Sequence, residues 1–178
     1  MKGVVFNLLE QVVVREYGEN VWDDLLDATG FPGPYTSLGS YPDEEMMALV
    51  GAASTALKLP PGEILRWFGR RAMPLLAQHY PVFFAPHTDT LSFVMSVNAI
   101  IHPEVRKLYA GAGCPHFHFE KAENGALLMG YNSARRLCAL AHGFIEGAGD
   151  HYSQTMTVEH PLCMHRGDES CQLKITAH

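Results

Sequence analysis

A chain of 178 residues with 47% hydrophobic content has room for one compact domain that encloses a ligand, and would be cramped as two. Its formal charge of −6 and the lack of any basic cluster exclude a nucleic-acid binder, which needs a concentrated cationic surface. The apolar opening is broken by Asn7, Glu10 and Arg15, which argues against a signal peptide or membrane span; the expectation is a cytoplasmic protein whose four cysteines are thiols or metal ligands rather than disulfides.

Residues 1–29 carry Val4, Leu8 and Val12, then Val21, Trp22 and Leu25, at steps of three and four: a helical pattern that Gly18 divides in two. Gly30-Phe31-Pro32-Gly33-Pro34 stops it. Tyr41-Pro42-Asp43-Glu44-Glu45 opens a helix running to about residue 57, its first turn acidic where the dipole favours negative charge. Pro60-Pro61-Gly62-Glu63 opens another, carrying Ile64, Trp67, Phe68, Ala72 and Leu75, which Pro74 should bend or end early. Residues 83–87 read as a loop, and Asp89 or Thr90 caps the helix that leads to His102.

Beyond Leu108 the pattern changes from helical to alternating. Residues 115–120 alternate, Asn124-Gly125 is the sharpest hairpin signal, and residues 126–133 return as the partner strand. A helix over 134–148 follows, then strands at 155–159 and 171–176 around an Arg166-Gly167-Asp168 turn. The sum is one α+β domain over residues 1–178, N-terminal helices followed by a four-stranded antiparallel sheet with a helix inserted.

Two places stand out chemically. From Leu91, residues Val94, Met95, Asn98, Ile101, His102, Val105, Leu108 and Tyr109 share one broad helical face, and all but Asn98 and His102 are apolar or amphipathic. A lone histidine in such a stripe is most often a core residue satisfied by a carbonyl; burial also keeps it neutral, the form a metal needs. Pro103 cannot donate to the Ala99 carbonyl and disfavours helical geometry at His102, so the helix should kink or restart there. The second place is Tyr131-x-Ser133-x-Arg135. At alternate positions of an extended strand, a phenol, a hydroxyl and a guanidinium converge on one anionic object, and the arginine fork can bridge two carboxylates. The competing reading is an ordinary exposed strand edge running into a helix start.

The cysteines form a third group. Cys163 and Cys171 flank the last hairpin loop, His160 lies three residues before Cys163, and Cys138 lies on the inserted helix; three thiolates and a histidine make a tetrahedral zinc set. Unligated thiols are the alternative, and His142 and His165 compete for the fourth position. Cys138 is about 200° around a helix from Leu140, so a metal there would be structural and face away from Leu140. Cys114 is left over as a free thiol.

His102 paired with Pro115 thirteen residues on, followed by Tyr131-x-Ser133-x-Arg135, resembles the haem nitric oxide/oxygen-binding (H-NOX) family, the sensor domain also found in soluble guanylate cyclase. The Met1-Lys2-Gly3-Val4-Val5-Phe6-Asn7-Leu8-Leu9-Glu10 opening and the closing Cys163-Met164-His165-x-Gly167-x-x-x-Cys171 are similar to it too, as in a nitric oxide-selective, standalone bacterial-type member. The resemblance implies haem b buried between helices and sheet. His102 would be the proximal ligand to the haem iron, Tyr131, Ser133 and Arg135 would hold the propionates, and Pro115 would press on the porphyrin. The opposite wall would come from Leu137, Leu140, Ala141, Phe144 and Ala148, joined by Val5, Leu9 and residues around Met73.

That wall offers no tyrosine or tryptophan to a bound gas, and Leu140 stands where oxygen-binding relatives have a distal tyrosine. The implied ligand is nitric oxide, with carbon monoxide as a second gas and no stable oxygen complex. Some members have a zinc site resembling the Cys138, His160, Cys163 and Cys171 set. Gas on the far face would weaken the bond to His102, release strain near Pro115 and shift helices against sheet. The chain carries no effector segment and is expected to be no enzyme, so output would pass to a partner such as a histidine kinase or cyclic-dinucleotide enzyme. Two rival readings stand beside this one. The hairpin with His160, Cys163 and Cys171 also resembles the V4R sensor domains, which would make a haem-free module for a small hydrophobic ligand. A haem peroxidase or oxygenase would want a distal acid/base pair or thiolate ligation.

Overall fold

The structure is a computed structural model that describes residues 1–122 and 125–178. Helix α1 (Gly3–Tyr17) gives way to α2 (Glu19–Thr29) at Gly18, whose φ of +94° suits glycine and strains any residue with a Cβ. After a stop at Gly30, α3 (Asp43–Leu57) starts with Asp43, Glu44 and Glu45 in its first turn. Helix α4 (Pro61–His79) follows, then a single turn α5 (Pro81–Phe84) inside the stretch expected to be a loop. Asp89 caps α6 (Thr90–Ser96) by accepting from the Ser92 N–H at 2.9 Å.

Of the two outcomes expected at Pro74, a bend or an early end, the early end does not occur: helix α4 runs on to His79. Its packing against the inserted helix α8 (Cys138–His151) explains why. A Cβ on Gly143 would lie 2.0 Å from the Arg66 carbonyl oxygen, and one on Gly69 would lie 2.5 Å from that of Leu140, so the two backbones touch. Arg66 forks onto Glu146 at 2.9 and 2.6 Å, and Arg70 onto Asp150 at 2.6 and 2.8 Å. Leu75, just past the proline, is buried in the helical core. Tertiary contacts on either side hold the helix through the one backbone donor that Pro74 removes.

The sheet runs β1 (Phe117–Lys121), β2 (Leu127–Tyr131), β4 (Cys171–Ala177), β3 (Met156–Leu162), antiparallel throughout. Leu127, Met129 and Tyr131 on β2 alternate inward with Cys171, Leu173 and Ile175 on β4. The register between β3 and β4 slips between Glu159 and Leu162, where Pro161 has no N–H for a ladder. Of the expected hairpin signal, Gly125 takes φ +80°, while Asn124 lies outside the described residues. The architecture is the expected one: helices first, a four-stranded antiparallel sheet last, one helix inserted.

Two cores result. Phe6, Val12, Leu49 and Phe68 centre the first, among α1 to α4; each such fully buried side chain contributes roughly 1.5–3 kcal/mol. Phe93, Met129, Ile145 and Leu173 centre the second, between the sheet, α6 and α8. Helix α8 serves both. Among the described residues, no helix is long and apolar enough to cross a membrane.

Candidate functional site

The local change at Pro103 is a widened turn rather than a loss of helix: His102 keeps helical φ −62° and ψ −38°, against the expectation that Pro103 disfavours helical geometry there. Residues Val97–Ile101 make a π turn in which the His102 N–H reaches back to the Val97 carbonyl, and α7 (His102–Leu108) restarts with Pro103 in its first turn. A wider turn accommodates the residue that cannot donate. His102 is partly buried, its ring centroid 5.5 Å from that of Phe117, and its Nδ1 is buried without a hydrogen-bond partner. Burial first, then the neighbouring Arg106, pushes its pKa down to about 4, against the Pro115 carbonyl, which favours the charged form. The ring is neutral near pH 7, and a buried nitrogen left unpaired calls for a partner.

His102 lines a cavity of about 380 Å³, within the range of small-molecule pockets, roughly 300–1,000 Å³. Ile101, Val105, Pro115 and Phe117 belong to the wall around it. Val4, Val5 and Leu8 of α1, Met73 and Leu76 of α4, Leu137 just before α8, and Leu140, Ala141 and Phe144 of α8 supply hydrocarbon to the rest. Leu9, expected here with Val5, does not line the cavity; it sits about 100° around the helix from Leu8 and is buried in the helical core. Ala148 likewise belongs to the sheet-side core rather than the cavity. Two phenols also border the space. Tyr80 and Tyr109 hydrogen-bond each other at 2.7 Å, and burial together with Tyr80 pushes the Tyr109 hydroxyl up to about 12. Tyr80 precedes Pro81 in a non-periodic stretch, so nothing in the sequence points to it.

Tyr131, Ser133 and Arg135 all reach this cavity, though not by strand alternation as expected. Strand β2 ends at Tyr131; the chain then turns, the Arg135 N–H donating to Ser133 Oγ at 3.3 Å and Arg136 taking φ +51°. The Tyr131 hydroxyl accepts from the Leu137 N–H at 2.9 Å, just before α8. Arg135 already holds a carboxylate: Nε donates to Asp43 at 2.6 Å, and Nη1 donates to the Gly113 carbonyl at 2.5 Å. Asp43 also meets the N-terminal ammonium at 2.7 Å. Although partial burial works the other way, hydrogen bonds from the N-terminus and Arg135 keep its carboxyl below the usual range. These contacts tie the start of α1, the start of α3 and the segment before Pro115 together beside the cavity.

On the other side of α8, the sulfurs of Cys138, Cys163 and Cys171 lie within 4.8 Å of one another, all buried. Cys163 Sγ is 3.8 Å from Cys138 Sγ and 4.0 Å from Cys171 Sγ, and the Met164 N–H donates to Cys171 Sγ at 3.3 Å. Burial raises the Cys138 thiol, whereas at Cys163 burial is outweighed by the His165 backbone N–H and its sulfur neighbours, and the thiol is lowered. The expected fourth ligand, His160, is not brought to the cluster: its Nε2 lies 3.0 Å from His142 Nδ1. His142, one turn past Cys138, is therefore its partner instead of its rival. His165 turns to the Arg136 carbonyl at 2.7 Å. Cys114, read as a leftover thiol, borders the cavity next to Pro115.

Helices packed on an antiparallel sheet enclose a mostly apolar cavity bordered by the neutral imidazole of His102 and by Tyr131, Ser133 and Arg135. The described residues fit a haem. The model of the Haem-NO-binding family matches residues 2–160, and the chain belongs to that family. It is similar to an H-NOX protein from S. oneidensis, whose crystal structure in the Fe(II)NO state superposes with TM-score 0.93 at 34% identity, covering 100% of this chain and 99% of that one. The unliganded Fe(II) H-NOX protein from K. algicida, 24% identical, shares the fold with TM-score 0.88 over 100% of this chain and 97% of its own. A soluble guanylate cyclase of Caenorhabditis elegans, gcy-32, is 25% identical over 142 residues, 76% of this chain. The matched part is 20% of the length of that cyclase and 10% of the length of another from the same organism, gcy-34. H-NOX domains bind haem and are sensors, not enzymes.

Proposed function

We propose that this chain, as one domain in the cytoplasm, is a haem-based nitric oxide sensor with His102 as the proximal iron ligand. The observation that carries the reading is the neutral, partly buried imidazole of His102, its Nδ1 unpartnered, on the wall of a mostly apolar cavity. Haem b, when bound, would supply a ferrous iron able to bind a diatomic gas. Tyr131, Ser133 and Arg135 receive the acidic edge; Arg135 has donors beyond the two that hold Asp43 and Gly113, and that grip keeps its fork oriented. Pro115 and Phe117 set the floor beside His102, and Val5, Leu140 and Phe144 keep the gas side dry.

Gas selectivity follows from that hydrocarbon. Bound dioxygen gains from a donor on the gas side, while nitric oxide and carbon monoxide bind ferrous iron without one. The reduced protein in air is expected to show no oxygen-bound absorption spectrum and to give a new spectrum on adding nitric oxide. An oxygen complex lasting hours would overturn the selectivity, and a chain that takes up no haem, with no Soret band, would favour the V4R-like alternative. Output would pass to a separate effector, a histidine kinase or cyclic-dinucleotide enzyme, read as a gas-dependent change in that enzyme's turnover when the domain is added; no change would remove the partner from the scheme.

The thiol cluster supports a second part of the proposal. Cys138, Cys163 and Cys171 would supply three ligands to a zinc ion, which would pin α8 to the last hairpin. Purified chain should hold one zinc, lost in Cys138→Ser together with several degrees of melting temperature. Metal-free protein with three thiols open to a thiol reagent on mild unfolding would overturn it.

A further inference from the structure

Asn98 is the other polar residue on the stripe that carries His102, and no role proposed above uses it. It lies in the π turn, four residues before His102 and therefore on nearly the same face. Its side-chain amide is used twice on one residue: Oδ1 accepts from the Phe117 N–H at 3.0 Å, and Nδ2 donates to the Phe117 carbonyl. Phe117 begins β1, an edge strand of the sheet, and pairs with Tyr131 of β2 on its other side. With its N–H and C=O both taken by Asn98, Phe117 presents these groups to the free edge, as every second residue of an antiparallel edge does. An asparagine amide has the donor and acceptor of a peptide group, so Asn98 stands in for the missing neighbouring strand at this point.

The consequence concerns His102. The Phe117 ring lies between two others: its centroid is 5.5 Å from that of His102 and 6.0 Å from that of Tyr131. Holding the Phe117 backbone fixes where its ring stands, and the imidazole is tilted 37° against that ring. We infer that Asn98 is a positioning residue: by clamping the Phe117 backbone to the π turn, it sets the orientation of the His102 imidazole and joins the helix bearing it to the edge of the sheet.

This inference rests on His102 being the haem ligand, and the test separates the two. Asn98→Ala removes both hydrogen bonds; Asn98→Asp keeps the acceptor for the Phe117 N–H and sets a second acceptor against its carbonyl. In full-length haem-loaded ferrous protein, the Phe117 amide should exchange with solvent roughly fivefold to tenfold faster in Asn98→Ala, the scale of one net hydrogen bond, and less so in Asn98→Asp. The iron–histidine stretching band in resonance Raman spectra should shift or broaden in both. A merely structural role would lower the melting temperature and leave that band in place, and this result would overturn the inference. Should Asn98→Ala not fold, the same band in Asn98→Asp decides. Wild-type protein without any such band would instead take down the assignment of His102, and this inference with it.

Discussion

A His102→Gly chain is expected to lose the absorption spectrum of five-coordinate histidyl haem while keeping its fold. The two outcomes separate because the imidazole is only partly buried and stands on the cavity wall rather than in either core. It is partly buried, it touches Phe117, and its Nδ1 has no partner, so removing it also removes an unsatisfied polar atom whose burial costs about 1–3 kcal/mol. Glycine at the start of α7 costs up to about 1 kcal/mol relative to alanine, which leaves the net change on folding near zero. Far-ultraviolet circular dichroism and the urea midpoint of the haem-free variant should therefore match those of the parent. Haem retention should fall by more than the roughly 10–100-fold that losing an outer-shell partner of a metal ligand costs, and added free imidazole should restore a histidyl-type spectrum. An unchanged haem spectrum in the variant would remove His102 from the site.

What the sequence disclosed here depended on the range of the forces involved. Gly18 as a divider and Asp89 as a cap act within one turn, and both could be read directly. A disturbance before His102 could be read the same way, since Pro103 lacks a donor whatever surrounds it, but not its form, a π turn that leaves His102 itself helical. At Pro74 the early end, one of the two outcomes expected, is overridden where glycines at 69, 143 and 147 bring two helices into backbone contact. The Tyr131-x-Ser133-x-Arg135 spacing found the right residues for a partly wrong reason: a serine turn past the end of β2, rather than strand alternation, delivers Ser133 and Arg135.

Partners far apart in sequence were the least legible. Asp43 and Arg135 are separated by 92 residues, and nothing in either segment announces the other. His160 and His142 looked like competitors for one metal position because spacing ranks ligands without aiming them; in the fold the two rings face each other. Leu8 rather than Leu9 reaches the cavity, a difference of one helical step that periodicity resolves only once the direction of the cavity is known.

The contact between α4 and α8 yields the second large effect, expected for Gly143→Ala. The added methyl would lie 2.0 Å from the Arg66 carbonyl oxygen, a backbone atom that no rotamer change can move aside. The helices must part, yet on the same stretch Arg66 grips Glu146 and Arg70 grips Asp150 with paired hydrogen bonds that resist it. Overpacking of this kind costs about 1–3 kcal/mol, and backbone contact puts the variant at the upper end by urea denaturation. The control is Gly51→Ala in α3, where an added Cβ meets nothing within 4 Å and relief of glycine's entropy should stabilise by about 0.5–1 kcal/mol. Leu140, Ala141 and Phe144 of α8 and Met73 and Leu76 of α4 line the same cavity, so the same displacement should loosen the proposed gas seat. In haem-loaded Gly143→Ala this should appear as faster release of carbon monoxide, in the Gly51→Ala control as no change. A Gly143→Ala protein that unfolds within 0.5 kcal/mol of the parent would mean that the helix contact yields more easily than its backbone geometry implies.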